Sequence, residues 1–247
     1  MSELAKVSTS WRSDRMQRDS KLTRWGHFGK PVLVFPTAGG DSEEIERMHL
    51  VTVLKPLLEA GRIKVYSCDS VAGKAMISQE GTPAHRMWLL NMFHQYVRHE
   101  VVPAIRTDCG DPEMGVIAGG SSIGAFHAVA VLCRFPNVFT HALCASGTYK
   151  IQRFLKSDDL TTDFIVSSPI HFLPSLGPGP HLDMLRTRFC LIASGEGRAE
   201  DIGESWALAN ALGAKGIPNR VDSWGKDWHH DWPTWREMFP KYIGEWA

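Results

Sequence analysis

The sequence carries no net charge, no long apolar run and no paired cysteine motif. Lys plus Arg and Asp plus Glu each number 27, so no global field points to nucleic acid or to an anionic membrane surface. No apolar stretch approaches the roughly 20 residues that a membrane-spanning helix needs. Met1 to Lys6 lack the apolar run of a secretory signal. Cys68, Cys109, Cys133, Cys144 and Cys190 form no C-x-x-C pair and are odd in number. Cys133, Cys144 and Cys190 sit in apolar surroundings, which implies buried free thiols, a reducing compartment and a cytoplasmic setting. The histidines are scattered and lack ligand spacing with carboxylates or thiols, so no metal and no other cofactor is expected. No repeat, low-complexity tract or linker divides the chain, so residues 1–247 read as one domain, long for a single core but acceptable for an α/β protein.

What is present is an alternation of short apolar runs with longer helical patterns. KPVLVFP (30–36), RIKVYSC (62–68), MGVIAGG (114–120), THALCAS (140–146), RFCLIAS (188–194) and NRVDSWG (219–225) read as strands. Several are apolar almost throughout, as strands covered on both faces are. Residues 43–60, 83–106, 123–134, 202–213 and 232–246 read as helices, and Leu89, Phe93, Val97 and Val101 form a core-facing stripe on the second. The expected fold class is α/β, a mostly parallel central sheet with helices on both faces. Residues 1–29 are polar and are expected to be antiparallel edge strands or an N-terminal extension. Residues 167–185 hold four prolines and two glycines, the composition of a long loop that could serve as a lid or pocket wall.

AGGSSIGAFHA (118–128) lies where a strand gives way to a helix. The frame Gly120-Ser121-Ser122-Ile123-Gly124 has glycine two residues to either side of Ser122, as a G-x-S-x-G nucleophile elbow requires. Centring on Ser121 would put Ile123 in a glycine position, so Ser122 is the candidate nucleophile and Ser121 a small neighbour. The N–H groups opening the next helix, Ile123 first, point at a developing oxyanion. Thr37, Ala38, Gly39 and Gly40, after the first core strand, lie where a second oxyanion donor and substrate contacts would come from.

A serine needs a base, and the base an orienting acid, in the chain order Ser, Asp/Glu, His. His229 and His230, after the last strand, are both candidates for the base. The acid belongs on Gly195–Asp201. Asp201 reads as the N-cap of the following helix and Glu196 sits directly at the strand end, which leaves Glu200 as the expected acid, with Glu196 and Asp201 as alternatives. Trp228, beside His229, could line an acyl or aromatic pocket.

The segment YVRHEVVPAIRTDCGDPEMGVIAGGSSIGAFHAVAVLCRFPNVFTHALCASG resembles the central block of a family of α/β-hydrolases. That family includes S-formylglutathione hydrolases, feruloyl and acetylxylan esterases, siderophore esterases and mycolyltransferases. HHDWPTW (229–235) is similar to the family's terminal His-Asp-Trp with a further Trp three residues on. The resemblance runs from about residue 30 to the C-terminus. It implies the α/β-hydrolase fold, a serine esterase acting on a small-molecule ester, His230 as base, and the N–H of Ala38 as the second oxyanion donor. Two departures stand out: Pro36-Thr37 replaces the family's His-Gly, and Gly-Glu-Gly-Arg-Ala-Glu-Asp replaces a Gly-Thr-x-Asp-like acid turn. An acyltransferase of the same family, or a binding protein that keeps the fold without turnover, are the alternatives. Neither nucleic acid nor membrane is an expected partner, and a homo-oligomer is left open.

Overall fold

A computed structural model of the protein describes residues 4–247; the first three residues of the expected N-terminal strands lie outside the described residues. The chain opens with β1 (Lys6–Ser13), β2 (Arg18–Trp25) and β3 (Lys30–Phe35), followed by α1 (Glu44–Arg47), α2 (Leu50–Glu59) and β4 (Ile63–Cys68). Next come α3 (Val71–Ser78), α4 (Pro83–Tyr96), a π-helical turn (Val97–Val101), α5 (Val102–Cys109), β5 (Val116–Ser121) and α6 (Ile123–Arg134). After β6 (Phe139–Ala145) a 3-10 turn (Ile151–Phe154) leads into α7 (Thr162–Ser167), α8 (Pro169–Phe172) and α9 (Pro180–Leu185). The chain ends with β7 (Phe189–Ser194), α10 (Ile202–Gly213), β8 (Asn219–Ser223) and α11 (Trp232–Trp246).

One eight-stranded sheet runs in the order β1-β2-β4-β3-β5-β6-β7-β8. β1, β2 and β4 pair antiparallel, and all other neighbours pair parallel. The polar N-terminus thus forms a two-stranded antiparallel edge, while the apolar runs occupy the parallel part. Each face of the sheet buries its own core. One holds Phe35, Phe93, Phe126 and Phe139 under α3 to α6 and α10; the other holds Val34, Leu54, Trp235 and Phe239 under α2 and α11. The stripe Leu89, Phe93, Val97 and Val101 is fully buried.

Three expectations are altered. The helix expected over 43–60 breaks at His49, which takes a left-handed φ of 62°, and the carbonyl of Met48 accepts from Arg236 of α11. The helix over 83–106 is widened by the π turn at 97–101, two residues before Pro103. A proline there has no N–H to continue the ladder, and the extra residue absorbs the mismatch. Residues 167–185 are not an open loop. Pro169, Pro174 and Pro180 each stand in the first turn of a short helix, where the missing N–H costs nothing, and Leu173, Leu182 and Leu185 are buried in the core. Among the described residues no helix is long and apolar enough to cross a membrane.

Parallel pairing brings the carboxyl ends of β3, β5, β6, β7 and β8 to one edge of the sheet, where ligands of open α/β sheets bind. The loops leaving that edge carry, in turn, Ala38, Ser122, Ser146, Glu200 and His230.

Candidate active site

Ser122 joins β5 to α6 with φ 58° and ψ −122°. A non-glycine residue reaches this region only under constraint, at a cost of order 1–3 kcal/mol. The flanking glycines supply the constraint. A Cβ on Gly120 would stand 2.2 Å from the carbonyl carbon of Gly124, and one on Gly124 would stand 2.4 Å from the carbonyl oxygen of Phe35. Strand, turn and helix therefore close to a distance only glycine permits. Ser122 donates its N–H to Ala145 O (3.1 Å), and its own carbonyl accepts from the N–H groups of Ala125 (3.2 Å) and Thr148 (3.1 Å). Although Ser122 occupies the N-cap position, its hydroxyl makes no capping hydrogen bond. The turn is thus not a serine-capped packing device; the hydroxyl is left over. No protein acceptor among the described residues takes the N–H of Ile123 or of Ala38, and both residues line the same recess as Ser122.

His230 and Glu200 are brought together. His230 Nδ1 lies 3.5 Å from Glu200 Oε2, with the carboxylate side chain 1% exposed and the imidazole 22% exposed. The other carboxylate oxygen accepts from the Ser146 hydroxyl at 2.5 Å. Ala199, at φ 61°, turns the chain immediately before Glu200. The backbone N–H of His230 donates to Arg198 O (3.1 Å), fastening the histidine loop to the acid loop. The His230 ring stands edge-on to Trp235, 5.3 Å between centroids.

The alternatives are placed elsewhere. Asp201 caps α10, accepting from the N–H of Gly203 at 3.0 Å. Glu196 is exposed and accepts from the Ser223 hydroxyl on the edge strand. His229 is exposed, and its Nδ1 accepts from the Arg198 N–H at 3.0 Å, so that nitrogen holds the loop. Trp228 packs edge-on against Trp224 (4.7 Å). Thr37 is tied through both its N–H and hydroxyl to Glu44, and Ser121 is buried within β5. Thr37, Gly39, Ser121, Trp228 and His229 stay outside the lining of the recess at Ser122, as do residues 167–185.

That recess, about 50 Å³, is lined by Ala38, Ser122, Ile123, Met76, Ile77, Thr148 and Phe154. The last four, and Ser146, were not legible as site residues: α3 has no marked helical stripe, and nothing near Ser146 in sequence points to Glu200. Wider clefts, such as the one between His27 and Met114, open at the opposite end of the sheet. Among the described residues no group of three or more His, Cys, Asp or Glu is gathered as a metal would need.

No protein-family model and no curated protein matches the sequence. Solved structures do match the fold. A ferulic acid esterase superposes with TM-score 0.72 at 15% identity, covering 97% of this chain and 96% of that one. A substrate-bound fluorophosphonate-binding serine hydrolase from Staphylococcus aureus gives 0.72 at 13% identity, covering 99% and 98%. An S-formylglutathione hydrolase from Agrobacterium tumefaciens gives 0.71 at 12% identity, covering 98% and 94%. The chain has the α/β-hydrolase fold over its whole described length.

Proposed function

We propose that the protein is a serine hydrolase that cleaves small-molecule carboxylic esters, thioesters included, through an acyl-enzyme. The observation that carries this reading is Ser122: a strained, uncapped serine at a helix N-terminus, beside two unengaged N–H groups. Such strain persists where function requires it. The names of the structural neighbours, esterases and serine hydrolases, agree with the reading.

In the proposed mechanism Ser122 Oγ attacks the ester carbonyl while His230 takes its proton. His230 is the base because the Nδ1 of His229 is already held by the Arg198 N–H. Glu200 faces His230 Nδ1, fixing the tautomer that leaves Nε2 free to accept and stabilising the imidazolium that forms. Ser146, on the other carboxylate oxygen, keeps Glu200 turned toward the ring. The N–H groups of Ile123 and Ala38 receive the oxyanion. His230 then protonates the departing alcohol or thiol, and water, activated by the same imidazole, releases the acid.

Incubation with an ethyl fluorophosphonate, read by mass spectrometry, tests the nucleophile. One adduct on Ser122, absent in Ser122→Ala, is expected, and a folded but unlabelled protein would overturn the proposal. Turnover should fall on the order of 10,000-fold or more in Ser122→Ala and His230→Ala, but far less in His229→Ala and Ser121→Ala. Product analysis with a short-chain ester and an added alcohol separates hydrolysis, the expected outcome, from acyl transfer.

A further inference from the structure

We infer, resting on Ser122 as the nucleophile, that the recess beside it is the acyl pocket. It admits only a short acyl group, its depth is set by Phe154, and its width is fixed by a staple through Gln79.

The side of the pocket follows from proton bookkeeping. The departing alcohol must lie within hydrogen-bond reach of the group that protonates it, hence on the His230 side of Ser122. No residue of the histidine loop, 225–231, lines the recess, whereas Ser122, Ile123 and Ala38 do. The recess therefore lies on the acyl side of the carbonyl, next to the two N–H groups assigned to its oxygen.

The size follows from the walls. Met76 is fully buried and Ile77 is 53% exposed at the mouth, both on α3. Phe154 lines the recess from the 3-10 turn. The enclosed space is about 50 Å³. At the roughly 10–15 Å³ that a water-sized probe occupies, this is room for about four such probes. An aromatic acid has six ring carbons before any linker, and pockets for ligands of that size run to about 300 Å³ or more. The recess thus suits an acyl group from acetyl to butanoyl, and excludes aryl acids and long chains.

The walls are braced against widening. Gln79 ends α3 with a left-handed φ of 55°, and its side-chain amide donates to Met76 O (2.5 Å) and to Phe154 O (2.9 Å). One amide thus holds a carbonyl from each wall. Arg86, itself buried, ties the chain just past α3 to the residue after the 3-10 turn, donating to Gly81 O (2.9 Å) and Leu155 O (2.7 Å). An acyl chain that needs the walls apart must break these bonds inside the protein.

The test is kcat/KM for p-nitrophenyl acetate, butanoate and octanoate and for an aryl ester, with wild type, Phe154→Ala and Gln79→Ala. Wild type should favour acetate or butanoate over octanoate by about tenfold or more. Phe154→Ala should raise the octanoate-to-acetate ratio by about tenfold, and Gln79→Ala should raise it in the same direction with no change in the atoms lining the pocket. Ser122 labelling with octanoate turned over as well as acetate, or ratios unmoved in both variants, would overturn the pocket assignment and leave the serine hydrolase standing. A folded wild type that neither labels nor turns over any ester would overturn both.

Discussion

Replacing Gly120 by alanine would place a methyl 2.2 Å from the Gly124 carbonyl carbon, a backbone atom with no flexible end to yield. Gly120→Ala should cost roughly 1–3 kcal/mol of stability and reduce turnover further than the stability loss explains, because the shift falls on Ser122. Urea unfolding beside ester kinetics would separate the two effects. The glycine frame that chose Ser122 over Ser121 was readable in sequence because it is a rule of local backbone contact. Ser146 was not, since it meets Glu200 across 54 residues and only the adjacency of β6 and β7 brings them together. Its hydrogen bond reaches a carboxylate, and such bonds contribute about 1.5–3 kcal/mol. Ser146→Ala should therefore lower kcat roughly 10- to 100-fold with little change in KM, while Ser146→Thr, which keeps the hydroxyl, should recover part of it.

At the scale of elements, the middle of the segment from Ser146 to Phe154 is fastened to α10 by one buried carboxylate. Glu204 of α10, 1% exposed, accepts from the backbone N–H groups of Tyr149 (2.6 Å) and Lys150 (2.9 Å) and from Arg153 (2.6 Å). Glu204→Ala would strand two N–H groups, so it should cost about 2–5 kcal/mol, measured by chemical denaturation, and disturb Ser146 and Phe154 together. The regular helices 123–134, 202–213 and 232–246 were legible from their length and composition beside the strand-like runs, although 123–134 is buried almost throughout. α3 was not: it is short, and its position depends on contact with Ala38, where a Cβ on Gly73 would lie 2.9 Å from the Ala38 carbonyl oxygen. The prolines of 167–185 misled for a related reason. A proline reads alike whether it stops an element or starts one, and here three of them start short helices.

For the whole molecule, apolar runs announced a parallel sheet, but strand order arises from crossovers that leave no local mark. The sheet also shelters a pair of imidazoles with a measurable consequence. Arg134 can only donate, and it donates to His94 Nδ1 (3.0 Å). The Nε2 of His94 therefore carries the proton shared with His127 Nδ1 (3.0 Å), and both rings are neutral. Burial, joined at His94 by the charge of Arg134, holds His94 well below its ordinary value of 6.5, and burial alone pushes His127 down to about 3. The unfolded chain takes up protons near pH 6.5 that the folded one refuses, so stability is present above that pH and declines as pH falls below it. Stability should therefore decline between pH 6.5 and 5, and in His127→Leu the urea midpoint should fall less steeply over that range than in wild type. The constraint at Ser122 acts in the other direction. Ser122→Gly would relax a backbone that costs about 1–3 kcal/mol, against the roughly 0.5–1 kcal/mol by which glycine loosens the unfolded chain. Its melting temperature should rise. A population screened only for heat resistance would then drift toward the inert form, and the serine would survive only where the reaction itself is selected.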